Sequence, residues 1–219
     1  MDDLLQFQQE PPLTGDLAES VPRLLTAQGC ATTAVHVRAV ADESARLAER
    51  FGVDGMQARA AGWLHDVSAI IPVTSRVAFA ECHGIPVLAE ERLAPMILHQ
   101  KLSAVLARDL FEIEDPEILA AIACHTTLRQ DATPLDKVVF LADKIAWDQP
   151  GTPPYLDDLN RALSSSLDRA VCVYLGTLWD RRHALPVLHP WLAAAYAQLC
   201  ALPHQVRADI SIAKKIQVK

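Results

Sequence analysis

Helix-start signals recur through the middle of this chain, and they confine it to short helices packed side by side. Asp54 with Gln57 three residues on, Asp115 followed by Pro116, and Thr133 followed by Pro134 each offer a side-chain oxygen to the unpaired N–H groups of a first turn. Proline suits the first helical position, since the N–H it lacks would have no helical partner there. The apolar residues keep helical time as well. Val37, Val40, Leu47, Ala48 and Phe51 fall on one face of a helix predicted from Thr32 or Thr33 to the stop at Gly52. Composition agrees, because the chain is 51% hydrophobic but only 5% aromatic, with its apolar residues mainly Ala, Leu and Val. That mixture favours packed helices over a sheet.

Further helices are expected over about 73–83, stopped by Gly84, from near His99 to Phe111, over about 156–180 with a break, and over 191–200. The stretch from Asp148 to Tyr155, rich in proline and glycine, is a loop that either closes over a pocket or merely connects. A chain of 219 residues is most simply one domain with short extensions. The expected division is a loose arm or short first helix over 1–20, a folded domain over 21–203, and a basic tail over 204–219. Net charge of −7 supplies no basic field for nucleic acid. No basic-then-apolar leader and no membrane-length apolar run stands out, so a cytoplasmic location is expected. Cys30, Cys82, Cys124, Cys172 and Cys200 are scattered without a CxxC pair, which suits reduced thiols.

Chemistry concentrates at Ala61-Gly62-Trp63-Leu64-His65-Asp66, where a largely apolar run ends in an imidazole beside a carboxylate. The doublet alone is short enough to arise by chance. Its weight comes from partners: His36 in the first turns of its helix, His99 opening one helical segment, His125 closing another, and Asp143 among Val138, Val139 and Leu141. An unpaired carboxylate at Asp143 would be costly to bury, which calls for a cation or a histidine as its partner. His83, His183 and His189 read as structural or exposed, and Glu90-Glu91-Arg92 as a solvated face.

Taken in order, His36, His65-Asp66, His99, His125 and Asp143 resemble the HD superfamily of metal-dependent phosphohydrolases in its dinuclear form. The segments His99-x-Lys101, His125-Thr126-Thr127-x-Arg129 and Leu135-Asp136-Lys137 through Asp143-Lys144 are similar to the YqeK-type bacterial proteins, which hydrolyse diadenosine tetraphosphate symmetrically. The resemblance covers about residues 30 to 200. It implies an all-α HD-domain helical bundle with a dinuclear metal site between helices, and two divalent transition-metal ions per chain. Iron is the first choice, with manganese, cobalt and zinc as alternatives. By the same resemblance His36, His65, Asp66 and Asp143 hold one ion, His99 and His125 the other, and Asp66 bridges. Four neutral imidazoles and two carboxylates leave such a centre positive and able to attract phosphate. A hydroxide held between the ions is the implied nucleophile, with Asp66, Lys101 and Arg129 as the catalytic set. Lys101 and Arg129 are placed to neutralise phosphate charge, while Thr126 and Thr127 either donate hydrogen bonds to phosphate or terminate their helix. Lys137 and Lys144 carry less weight. The implied partner is a dinucleoside polyphosphate or another nucleotide, without nucleic acid or membrane, and a homodimer is compatible.

Two departures from the family pattern bear on substrate choice. Ala69 stands where relatives place a lysine three residues after the doublet's Asp, and Lys144-Ile145-Ala146-Trp147-Asp148 follows Asp143 where many have an acidic residue and proline. Two other readings therefore remain: a phosphatase or phosphodiesterase for another nucleotide, or a non-catalytic nucleotide-binding regulatory module.

Overall fold

A computed structural model describes residue 13 and residues 15–200. Among these the chain forms helices α1 (Leu17–Ala27), α2 (Ala31–Phe51), α3 (Gly55–Leu64), α4 (Arg76–Cys82), α5 (Ala89–Leu93), α6 (His99–Phe111), α7 (Pro116–Cys124), α8 (Pro134–Ile145), α9 (Leu156–Leu163), α10 (Leu167–Asp180) and α11 (Pro190–Cys200), with no strand. The all-α architecture is as the sequence implies.

The starts and stops follow the capping chemistry. Asp54 accepts from the N–H groups of Met56 and Gln57, Asp115 from Glu117 and Ile118, and Thr133 from Asp136. Thr133 and Asp136 close a full reciprocal box. Gln57 does not turn back on its own helix; its amide reaches Asp115 at 2.8 Å and ties the start of α3 to the start of α7. Helix α2 begins at Ala31, ahead of both Thr32 and Thr33, after Cys30 and without a side-chain cap, and Gly52 ends it in a left-handed conformation at φ 69°.

The long helix α2 is the spine. It packs on α3 most extensively, then on α8 and α1, while α7 bridges α3, α6 and α8. Val37, Val40, Leu47, Leu64, Leu102, Ile122, Val138 and Leu141 are fully buried in this core. Each such side chain contributes roughly 1.5–3 kcal/mol. Gly62 makes the closest crossing possible, since a Cβ there would lie 2.6 Å from the Ala41 Cα and 2.9 Å from its nitrogen. The later helices complete the bundle, with α10 against α8, α9 and α11.

Two further sequence expectations are revised, at Cys172 with Cys200 and at Glu91. Helix α1, capped by Asp16 and burying Ser20, Val21, Leu24 and Leu25, runs across residue 20. The segments 1–12 and 201–219 lie outside the described residues. Cys172 and Cys200 form a disulfide between α10 and α11 with Cα atoms 5.3 Å apart, correcting the expectation of five free thiols. Glu91 is not solvated but fully buried, held by Lys101 and His189. No helix among the described residues is long and apolar enough to cross a membrane.

Candidate metal centre

The polar groups singled out in the sequence converge where α2, α3 and α8 meet the facing ends of α6 and α7. His36 projects from the second turn of α2, His65 caps α3, His99 opens α6, His125 caps α7, and Asp143 lies on the last turns of α8. Helix ends serve ligands well, because a side chain there escapes the packed helix body while its backbone stays fixed.

The distances define two connected halves. In the deeper one, His36 Nε2 lies 3.1 Å from Asp143 Oδ1 and 3.3 Å from His65 Nε2, and His65 Nε2 lies 3.6 Å from Asp143 Oδ1. In the outer one, His99 Nε2 lies 2.9 Å from His125 Nε2. Asp66 joins them, with its oxygens 3.4 Å from His99, 3.6 Å from His125 and 3.7 Å from His65. Two overlapping groups are compact enough to hold a cation, one of His36, His65 and Asp143 and the other of His65, Asp66 and His125.

The tautomers show why a cation fits. The Nδ1 atoms of His65, His99 and His125 each face a backbone carbonyl, of Gly62, Met96 and Ile122, at 2.8, 2.6 and 2.8 Å. Nδ1–H donates to that carbonyl, so Nε2 is left with its lone pair. Lone pairs on His99 and His125 then confront each other at 2.9 Å. A shared proton or a metal ion resolves that contact, and a mixed set of imidazoles and carboxylates is suited to a divalent transition metal.

Charge is arranged to match. Burial would raise the carboxyl of Asp66, but His65, His125 and His99 outweigh it and hold the group far below the usual carboxylate range. Asp143 is depressed likewise, burial being overcome by Lys144, His36 and His65. Burial pushes His99 down to about 4, against the pull of Asp66, and also lowers His125, keeping both rings neutral. His65 goes the other way, because Asp66 and Asp143 overcome its burial.

Around this centre the structure adds residues that sequence reasoning passed over. Gln100, fully buried, accepts from the N–H groups of Thr126 and Thr127 at 3.1 and 3.2 Å and donates to the Thr127 hydroxyl, clamping the end of α7 to α6. The Ser68 hydroxyl donates to the His99 carbonyl and accepts from Ser103. Lys144, given little weight from sequence, lies partly buried against Asp143 with its ammonium 5.5 Å from the Tyr174 ring centre. A polar side chain next to a candidate ligand was the available signal for Gln100 and Lys144.

The cations expected to meet phosphate have protein partners. Lys101 is 10% exposed, paired with Glu91 at 2.8 Å and donating to the Pro86 carbonyl, with Trp191 beneath it. Arg129 pairs with buried Asp136 at 2.9 Å yet keeps 37% of its side chain exposed. Leu128, buried between Thr127 and Arg129, takes a left-handed φ of 58°, strain a non-glycine residue adopts only where its surroundings enforce it. The Thr126 hydroxyl lies 2.9 Å from His99 Nε2.

Comparison with known proteins decides the family, for the HD domain model matches residues 33–148, just over half of the chain. The chain belongs to the HD domain family. Among similar proteins, an "Uncharacterized protein in pepC 5'region" of Lactococcus lactis subsp. cremoris is 47% identical over 65% of this chain and 72% of that protein. Proteins named symmetrical bis(5'-nucleosyl)-tetraphosphatase are similar at lower identity. The Staphylococcus aureus one is 31% identical over 62% of this chain and 70% of its own length, and the Bacillus subtilis one 28% over 63% and 72%. The fold is shared with a Clostridium acetobutylicum crystal structure described as a "predicted HD superfamily hydrolase involved in NAD metabolism". That match has a TM-score of 0.76 at 24% identity, over 83% of this chain and 95% of the other. Family membership and the donor set together make this an HD-superfamily, metal-dependent hydrolase.

Proposed function

We propose that this HD protein hydrolyses diadenosine tetraphosphate and related dinucleoside polyphosphates symmetrically, releasing two nucleoside diphosphates in the cytoplasm. Two divalent cations serve the centre, with iron the first choice. The observation that carries the reading is the meeting of four imidazole Nε2 atoms and two depressed carboxylates in one cluster, across two halves joined by Asp66. Relatives at 28–31% identity that are named for this reaction supply the substrate class.

Divalent cations bound there would neutralise phosphate oxygens and bring a water molecule close to ionisation at neutral pH. The chain's own groups prepare the rest. Asp66, anionic and only 27% exposed, faces histidines from both halves and holds them in one register. His99 and His125 stay neutral, with the carbonyls of Met96 and Ile122 fixing their rings. Arg129, held by Asp136 and still partly exposed, would offer its guanidinium to the polyphosphate, where developing charge needs a fixed donor. Lys101 acts on the same charge at longer range, since its ammonium is engaged with Glu91. Thr126 adds a hydroxyl beside His99 in the outer half, and Thr127, buried on Gln100, supports it.

Chromatography of the products from diadenosine tetraphosphate tests the proposal. ADP as the sole product is expected. AMP with ATP would mean asymmetric cleavage, and turnover confined to other members of a nucleotide panel would replace the substrate.

A further inference from the structure

His99 enters the centre at the very start of α6, and one buried cation helps to hold the turn that delivers it. Arg76, the first residue of α4, is 8% exposed although arginine is rarely buried without a specific partner. Its Nε donates to the Ile71 carbonyl at 3.2 Å and its Nη1 to the Met96 carbonyl at 2.9 Å. The Met96 carbonyl is the one that also accepts Nδ1–H of His99, at 2.6 Å, and the His99 backbone N–H.

Arg76 therefore pins the turn immediately before His99 to the turn that follows the His65-Asp66 doublet. The doublet's strand of chain runs through the turn at Val67–Ile70 to Ile71, and the second through the turn at Pro95–Leu98 to His99. These two segments deliver Asp66 and His99, whose ring and carboxylate approach to 3.4 Å. Two directed donors on a planar fork hold both carbonyls at a fixed separation, which the single ammonium of a lysine cannot reproduce. Sharing the Met96 carbonyl also fixes the ring: the carbonyl stays where it can take the Nδ1 proton, so the Nε2 lone pair keeps pointing at Asp66 and His125.

We infer that Arg76 is a positioning residue for the outer metal ion, setting His99 through the shared Met96 carbonyl. This rests on the two-cation reading of the centre, toward which His99 presents Nε2. Residues that orient a ligand in this way typically change metal affinity by about 10- to 100-fold when removed.

The test is metal retention rather than turnover. Manganese-loaded protein is dialysed against buffers of stepwise lower free Mn²⁺, and metal per chain is counted for the parent, Arg76→Gln and Arg76→Lys. The parent should release its two ions in two steps. Arg76→Gln should lose the weaker ion at a free Mn²⁺ about 10- to 100-fold higher, with the tighter step unmoved and the circular dichroism unchanged. Arg76→Lys should fall between them, and it decides the question if the Gln variant does not fold. A general loosening of the bundle would move both steps together. Coincident release curves for the parent and a folded variant, or equal shifts in both steps, overturn the role of Arg76. A parent that holds a single ion overturns the two-cation reading and this inference with it.

Discussion

The two halves of the centre are built by different means. His36, His65 and Asp143 stand on α2, α3 and α8, whose apolar faces bury Val37, Val40, Leu64, Val138 and Leu141 completely. The packing that makes the core also sets those three side chains, so their geometry is as stiff as the bundle. His99 and His125, at helix ends as His65 is, are held in addition through polar tethers: Ser68 on the His99 carbonyl, Gln100 on the loop after His125, and Arg76 on the Met96 carbonyl. Hydrogen bonds of this kind are worth only about 0.5–1.5 kcal/mol each. The deep half should be most sensitive to changes in its apolar core, and the outer half to loss of its polar tethers.

Asp66 belongs to both halves, so its loss should have the largest effect. Asp66→Ala is expected to reduce turnover of diadenosine tetraphosphate to background and to lower bound metal, measured by product chromatography and elemental analysis; activity near the parent's would dismantle the mechanism. Arg129→Ala touches neither half. It should lower kcat by about 10²-fold at unchanged metal content. A fall in bound metal would assign Arg129 to the scaffold instead.

Gln100→Leu keeps the volume but strands the N–H groups of Thr126 and Thr127. We expect the outer ion to be released about 10-fold more readily in a free-metal dialysis, while the inner ion is retained. Gly62→Ala attacks the deep half, because its Cβ has no room against Ala41. It should cost about 1–3 kcal/mol in denaturant unfolding, as overpacked cores do. Gly176→Ala in α10 is the smallest change. Nothing lies within 4 Å of the added carbon, so a slight stabilisation of about 0.4–1 kcal/mol is expected from the same unfolding experiment.

Much of this was legible before any coordinates. The caps at Asp54, Asp115 and Thr133 and the stop at Gly52 carry their own chemistry within a few residues, and the helices begin and end there. Asp143 was expected to find a histidine or a cation, and His36 lies 3.1 Å away. The misses share a cause. Glu91 reads as part of a charged surface run, yet His189, 98 residues further on, returns to bury it with Lys101. Cys172 and Cys200 lack a recognisable spacing and meet because α10 and α11 pack together.

What the sequence determined by itself was local: where helices start, which faces are apolar, and which side chains are able to ligate. The tertiary structure decided which of those side chains meet, and which polar groups support them from behind. Helix signals act over one or two turns, and short sequence patterns can capture them. A contact such as Arg76 with Met96 depends on where two separate turns come to rest in the packed bundle, and no local pattern records that.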